Sequence, residues 1–298
     1  MQNNYFLGFI LVCVAGLLWS FGVLTLRQSV DLENYLMPFL LYRGVSVFAV
    51  ISFFVWYRDG NEVLSNVKRL DRYSLSGSLI LGICMVSFVY SITKTTMAIS
   101  MIMLAIAPLL TAILGFLLLG EKLSNTTFLN MFVVVAGVAV MLRNVSDSGS
   151  VLGAAVGFVV AFGFALFTIT LRRNPETPKL ITPAIAGLFC AFYSLTYIVV
   201  TDISFSLPTV NIIMAIVNGT LVGAGLILYT LGSKYLPAAE LILLSLLEVV
   251  AGIFWVWLPI LGVNEVPAAD TIIGGVIILT AIIFQGLKSR NAQTFPMA

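Results

Sequence analysis

Ten runs of apolar residues, joined by short polar connections, restrict this chain more than any other feature of its sequence. They lie at about 6–26, 35–56, 74–93, 97–119 and 128–142, then 151–171, 180–200, 209–231, 238–258 and 271–287. A helix crossing a hydrocarbon core of about 30 Å needs about 20 mostly apolar residues, and these runs meet or approach that length. The fifth is short, and a start one turn earlier, near Ser124, would complete it. None alternates in polarity every second residue, as a strand of a membrane barrel would. In lipid the backbone must satisfy its own hydrogen bonds, which leaves helices. Composition agrees: 60% of residues are hydrophobic and 9% charged, against roughly 25% charged in soluble domains. The expected fold is an all-α polytopic membrane protein with ten transmembrane helices, set in a lipid bilayer.

The same composition excludes several functions. A net charge of +2 provides no basic face for nucleic acid. Cys13, Cys84 and Cys190 each sit inside an apolar run, so no disulfide framework is implied. The chain has no histidine, which removes the commonest general base and the commonest metal ligand. No metal or other cofactor is expected. A membrane serine protease needs a Ser–His pair and a zinc protease needs His ligands. An aspartyl type needs two facing aspartates, yet every Asp lies in a loop or at a helix end. A retinal protein needs a mid-helix lysine, and Lys94 lies only at a span boundary. The expectation is therefore not an enzyme. The first run lacks a basic flank and a small-residue cleavage site, so it is read as the first helix and not as a removable signal.

Lys and Arg in the connections set the orientation. The side holding both termini and the even-to-odd loops carries eleven: Arg58, Lys68, Arg69, Arg72, Lys122, Arg172, Arg173, Lys179, Lys234, Lys288 and Arg290. The other side carries only Arg27, Lys94 and Arg143, and Arg43 lies within the second run. Both termini are thus placed in the cytoplasm. Only the connection 57–73 is long, and 288–298 reads as a cytoplasmic tail.

Two sets of five runs share a pattern. Arg27 falls on Arg172 and Pro38 on Pro183 at an offset of 145 residues. Residues 98–108 resemble 239–249 at an offset of 141, and Gly137 falls on Ala281 at 144. The expected units are 1–145 and 146–287. Each has an odd number of spans, so the second copy would be inverted relative to the first. Inverted repeats are a construction of secondary transporters, where exchanging the conformations of the halves exchanges the open side.

The motifs along the chain are ordered. The first half holds Leu18-Trp19-Ser20, Pro38 with Arg43, Thr95-Thr96-Met97-Ala98, Ala107-Pro108 and Leu119-Gly120-Glu121-Lys122. The second holds Leu236-Pro237-Ala238-Ala239-Glu240, Leu246-Leu247-Glu248-Val249 and Ile273-Gly274-Gly275. In this the sequence resembles the drug/metabolite transporter superfamily, in its EamA-type branch. The resemblance implies ten helices, a central cavity between the halves, and transport of a small organic solute, often outward. Amino acids, amines and related metabolites are the usual substrates, and the expected location is the bacterial inner membrane. Two departures stand out. Glu248-Val249 replaces the family's Glu-Pro, which predicts a straighter ninth helix, and the counterpart of Gly120-Glu121 falls on Leu261-Gly262 with Glu265 beyond.

Glu248 is the leading candidate site residue. It lies about ten residues into the ninth run, roughly 15 Å deep at 1.5 Å per residue, where a charge costs several kcal/mol unless paired, hydrated or protonated. It would bind a substrate amine, hold a coupling proton, or serve as a hydrogen-bonded structural carboxyl. Arg43 would bind a substrate carboxylate bidentately, pair with Glu248 as a gate, or tie helix carbonyls together. Pro108 frees a carbonyl in mid-helix, either to line a site or to kink for packing. Trp19, Tyr90, Phe164 and Tyr229 are aromatic candidates for a cavity wall. Ser100, Asn218 and Ser245 would bond substrate or a neighbouring helix. Glu121 and Lys122 at the cytoplasmic end read more simply as a solvated helix end than as an ion pair or latch.

These readings converge on alternating access around a central cavity, with protons as a candidate coupling ion. A channel or a non-transporting receptor or scaffold is the alternative. Ten spans suffice for a pathway in one chain, and a dimer is compatible with it. A fluorescent protein fused after Ala298 should be bright in cells and alkaline phosphatase fused there inactive. The reverse result would place the C-terminus outside.

Overall fold

The computed structural model describes residues 2–94, 103–122, 124–141, 143, 151–173, 178–258 and 268–289, and these are helical with short connections. The helices are α1 (Gln2–Gln28), α2 (Leu36–Asp59), α3 (Val63–Lys68), α4 (Arg72–Lys94), α5 (Ala107–Leu119) and α6 (Asn125–Met141). They continue with α7 (Val151–Arg173), α8 (Ile181–Val200), α9 (Thr209–Gly232), α10 (Ala238–Ser245), α11 (Leu247–Trp257) and α12 (Ala269–Ser289). Among the described residues, six helices are long and apolar enough to cross a membrane; shorter apolar helices run over Met103–Leu119, Asn125–Val140 and Ala269–Gln285. Large apolar side chains such as Phe53, Leu117 and Val200 stay exposed, as a lipid-facing surface requires. The long connection after α2 holds the 3-10 turn Gly60–Glu62 and α3.

Local chemistry sets several ends. Pro208 and Pro237, in extended backbone, precede the first residues of α9 and α10, where a fixed φ and a missing N–H are harmless. Gly120 ends α5 in the left-handed conformation at φ 67, which a side chain would strain. The sixth helix of the described set begins at Asn125, so the fifth apolar run does start near Ser124.

The ninth run does not form the straight helix its sequence predicts. It breaks at Leu246, with ψ −7, and the Val249 amide bonds the Leu246 carbonyl at 3.0 Å, three residues back. No proline is required, because α1 reaches the break. A Cβ on Gly16 would lie 3.1 Å from the Ser245 carbonyl oxygen and 3.4 Å from the Glu248 amide nitrogen. A matching turn falls at Ile106 before α5. This moves Pro108 from mid-helix, where it is expected, to the first turn of α5, the position that tolerates proline best.

Packing joins early helices to late ones. α1 packs on α9 and α11, α2 on α8 and α9, α4 on α7 and α8, α5 on α7 and α10, and α6 on α12. Where α2 crosses α8 the backbones meet. A Cβ on Gly44 would lie 2.6 Å from the Ala191 nitrogen and 2.8 Å from the Gly187 oxygen; one on Gly187 would lie 2.8 Å from the Phe48 nitrogen. Small residues at such crossings let dispersion and weak hydrogen bonds hold helices together in lipid.

Gly44→Leu should therefore lower the thermal unfolding temperature sharply or prevent folding, since forced overpacking costs about 1–3 kcal/mol even without a backbone clash. Gly275→Ala, whose Cβ would touch only Val250 Cγ1 at 3.6 Å, should unfold near wild type in the same detergent assay.

Candidate substrate cavity

A cavity opens where α1, α2, α4, α7, α9, α10 and α11 converge. It holds about 850 Å³ of empty space, its open part included. Trp19, Arg43, Phe164, Asn218, Ser245 and Glu248 line it, among apolar groups such as Leu81, Met85 and Phe88. Six of the residues singled out in the sequence thus share one wall, although they come from six helices.

Arg43 is the most constrained of them. It is 5% exposed on α2, and its Nε donates to Asn218 Oδ1 at 2.7 Å while Nη1 donates to the Met85 carbonyl at 2.8 Å. Asn218 turns its amide the other way, to the Gly22 carbonyl at 3.0 Å and Thr25 Oγ1 at 2.7 Å. One guanidinium and one amide therefore tie α1, α2, α4 and α9 together. Gly219 makes this possible, since a Cβ there would lie 2.5 Å from the Arg43 carbonyl oxygen. A guanidinium carries five N–H groups. Two bond the protein, and others remain on a side chain that lines the cavity. Strut and anion-binding group are compatible roles for the same side chain.

Glu248 stands in the first turn of α11, just past the break at Leu246. It is half-buried, and it makes no hydrogen bond or ion pair among the described residues. Arg43 is close enough to act on it electrostatically, yet the two do not form a salt bridge. A carboxyl and a guanidinium thus border one apolar space without neutralising each other.

An aromatic wall backs the charges. Trp19 lies 5.9 Å from Phe164, edge to face, and 5.5 Å from Tyr229, within the range where ring pairs attract. Its indole N–H donates to the Val222 carbonyl at 3.3 Å, and Gly225 leaves room for the ring, because any Cβ there would overlap it. Tyr229 stands behind this wall and not in the cavity lining: it is fully buried, its hydroxyl 2.8 Å from Thr168 Oγ1. Ser245 lines the cavity but spends its hydroxyl on the Ile242 carbonyl at 2.8 Å. Tyr90 lies apart, with the Lys94 ammonium 5.9 Å over its ring. Pro108 is buried in α5 outside the cavity lining. Ser100 lies outside the described residues.

Two polar clusters at the far ends of the same helices escaped the sequence reading. Glu121 is no solvated helix end: it pairs with Arg172 at 2.9 Å. Glu240 is 7% exposed, accepting from Tyr5 Oη at 2.7 Å and Thr127 Oγ1 at 3.1 Å. Gln285 donates to Thr127 at 3.0 Å and accepts from Asn130 at 2.8 Å. A signal existed for Glu240, a carboxylate inside an apolar run, but its place near the start of the run made it resemble a boundary.

Residues 6–143 match the EamA-like transporter family. No curated protein matches the chain. A protein solved by crystallography, 18% identical, superimposes with a TM-score of 0.77 over 96% of this chain and 99% of its own. At that identity the likeness is one of fold, and it reaches well beyond residue 143.

Asn218→Ala should destabilise the protein by about 1–3 kcal/mol, because it leaves a buried guanidinium donor unsatisfied. Thermal unfolding in detergent would read this as a lowered midpoint, and an unchanged midpoint would remove Asn218 from the structural node.

Proposed function

Since residues 6–143 match the EamA-like transporter family, we propose that this membrane protein is a secondary transporter of a small organic metabolite: an amino acid, an amine or a related solute. Substrate sits in the cavity described above, and the direction implied by the resemblance is outward. The work done is translocation and not catalysis. The observation that carries the reading is the pair of ionisable side chains, Arg43 and Glu248, which line an apolar and aromatic cavity without pairing with each other. A zwitterion of modest size offers a carboxylate to one, an ammonium to the other and a side chain to Trp19 and Phe164.

The mechanism proposed is alternating access by two inverted repeats, 1–145 and 146–287, each of five spans, with 288–298 as a tail. The packing supports it. Let α1 exchange with α7, α2 with α8, α4 with α9, α5 with α10–α11, and α6 with α12. Then α1–α9 becomes α7–α4, α2–α9 becomes α8–α4, and α1–α11 becomes α7–α5, all of which are packed pairs. The pairs α2–α8, α5–α10 and α6–α12 map onto themselves. The breaks at Ile106 and Leu246 also correspond. Both termini face the cytoplasm of the bacterial inner membrane in this reading, protons are the coupling ion, and one chain provides a complete pathway.

Flux of labelled amino acids and amines into proteoliposomes, at set pH gradients, tests the proposal. One solute should show saturable, gradient-dependent flux with counterflow. Glu248→Gln should slow it by about ten-fold or more, the worth of a charge-assisted hydrogen bond. Flux without saturation would favour a channel, and no flux across the panel would return the receptor reading.

A further inference from the structure

The cavity lies in the middle of the helix bundle, where Leu81, Phe164 and Asn218 sit in the central turns of α4, α7 and α9, and it extends toward one end. On α1 it takes residues from Trp19 to Leu26, near the C-terminal end, and on α2 it takes Arg43, near the N-terminal end. The opposite end, which the charge distribution assigns to the cytoplasm, is closed by a clamp centred on Glu121. After α5 the chain reverses at Gly120, and the Glu121 amide returns to the Gly115 carbonyl at 3.1 Å. This aims the carboxylate at the second half of the chain. Its Oε1 accepts from Arg172 Nε at 2.9 Å and lies 2.9 Å from Nη2, at the end of α7. Its Oε2 accepts the Ala238 N–H at 3.0 Å, the first residue of α10. Arg172 Nη1 completes the clamp on the Ser233 carbonyl at 2.9 Å, where α9 ends.

One carboxylate from the first half thus holds two elements of the second directly and a third through Arg172. The side chains are only 26% and 19% exposed, for Arg172 and Glu121 respectively, so solvent screens them less than a surface pair. The charge around them makes Glu121 harder to replace. Lys179 lies near Arg172 and Lys234; burial first, then those two cations, push its ammonium down to about 8. Asp59 acts on Lys234, and Glu240 on α10 faces Glu121. Without the Glu121 charge, Arg172, Lys179 and Lys234 repel one another at the point where the halves meet. Toward the cavity end an ion pair, Lys94 with Glu33, joins two first-half residues and is 36% and 59% exposed.

We propose that the Glu121–Arg172 clamp is the inner gate of the transport cycle, shut while the cavity faces the other side and broken each time the cavity faces the cytoplasm. The proposal rests on the transporter reading, but its test needs no substrate. Cys13, Cys84 and Cys190 are first replaced by Ala, and Val222→Cys, whose side chain borders the cavity, reports access. A membrane-impermeant maleimide is added to right-side-out and to inverted membrane vesicles. In the otherwise native protein, labelling should proceed from outside. Glu121→Gln, and separately Arg172→Gln, should raise the rate from the cytoplasmic side by about ten-fold or more. Glu33→Gln at the cavity end should leave that rate unchanged. If Glu121→Gln does not fold, Arg172→Gln alone decides. Cytoplasmic-side rates equal to the parent in the folded variants would overturn the gate, and so would an equal rise in Glu33→Gln.

Discussion

Neither half of this chain has a core of its own. Almost every extensive helix contact among the described residues joins a residue before 145 to one after 146, and backbone meets backbone at Gly44, Gly187 and Gly219. In lipid this matters more than in water, because the surrounding tails are as apolar as the side chains and supply no hydrophobic force between helices. Cohesion rests on how closely the helices can approach. Gly44 and Gly187 set that distance for α2 and α8, Gly219 sets it for α2 and α9, and the Arg43–Asn218 bond becomes reachable only because they do. The polar node is a consequence of the glycine contacts.

The alternating access proposed above requires the same interface to give way. A protein whose two halves are each other's core moves by shifting that interface, and the groups best placed to permit it are polar ties at its ends. The middle holds the fixed part: Arg43 with Asn218 and Met85, and Trp19 against Phe164 and Tyr229. The breaks at Leu246 and Ile106 bracket this region, so α11, which carries Glu248, meets the cavity on a helix end that need not move with α10.

Much of this was legible in the sequence, and the failures have physical causes. The apolar runs located the helices because lipid imposes a length and forbids unsatisfied backbone. Arg43 and Glu248 were legible because a charge inside a span is expensive and must have a reason. The break at Leu246 was not, because it depends on α1 pressing Gly16 against the Ser245 carbonyl, a contact no local pattern encodes. Glu121 was misread for a similar reason. Its partners, Arg172 and Ala238, lie 51 and 117 residues away, and a carboxylate after a helix-ending glycine looks solvated until they arrive. Tyr229 had the right composition for a cavity wall, but which face of α9 turns inward is set by the ring of Trp19 resting on Gly225.

Two of the ties that join the halves near the ends of the bundle differ in kind. The cavity end holds α9 to the α1–α2 connection through Asn211, whose amide both accepts from the Val30 N–H at 2.8 Å and donates to its carbonyl at 2.7 Å. Those are neutral bonds, worth about 1 kcal/mol each. The opposite end uses charges, which are stronger when half-buried and weaken steeply once water enters. A charged tie behaves cooperatively: the first breach hydrates both partners and removes most of the remaining attraction. The neutral tie yields gradually by comparison.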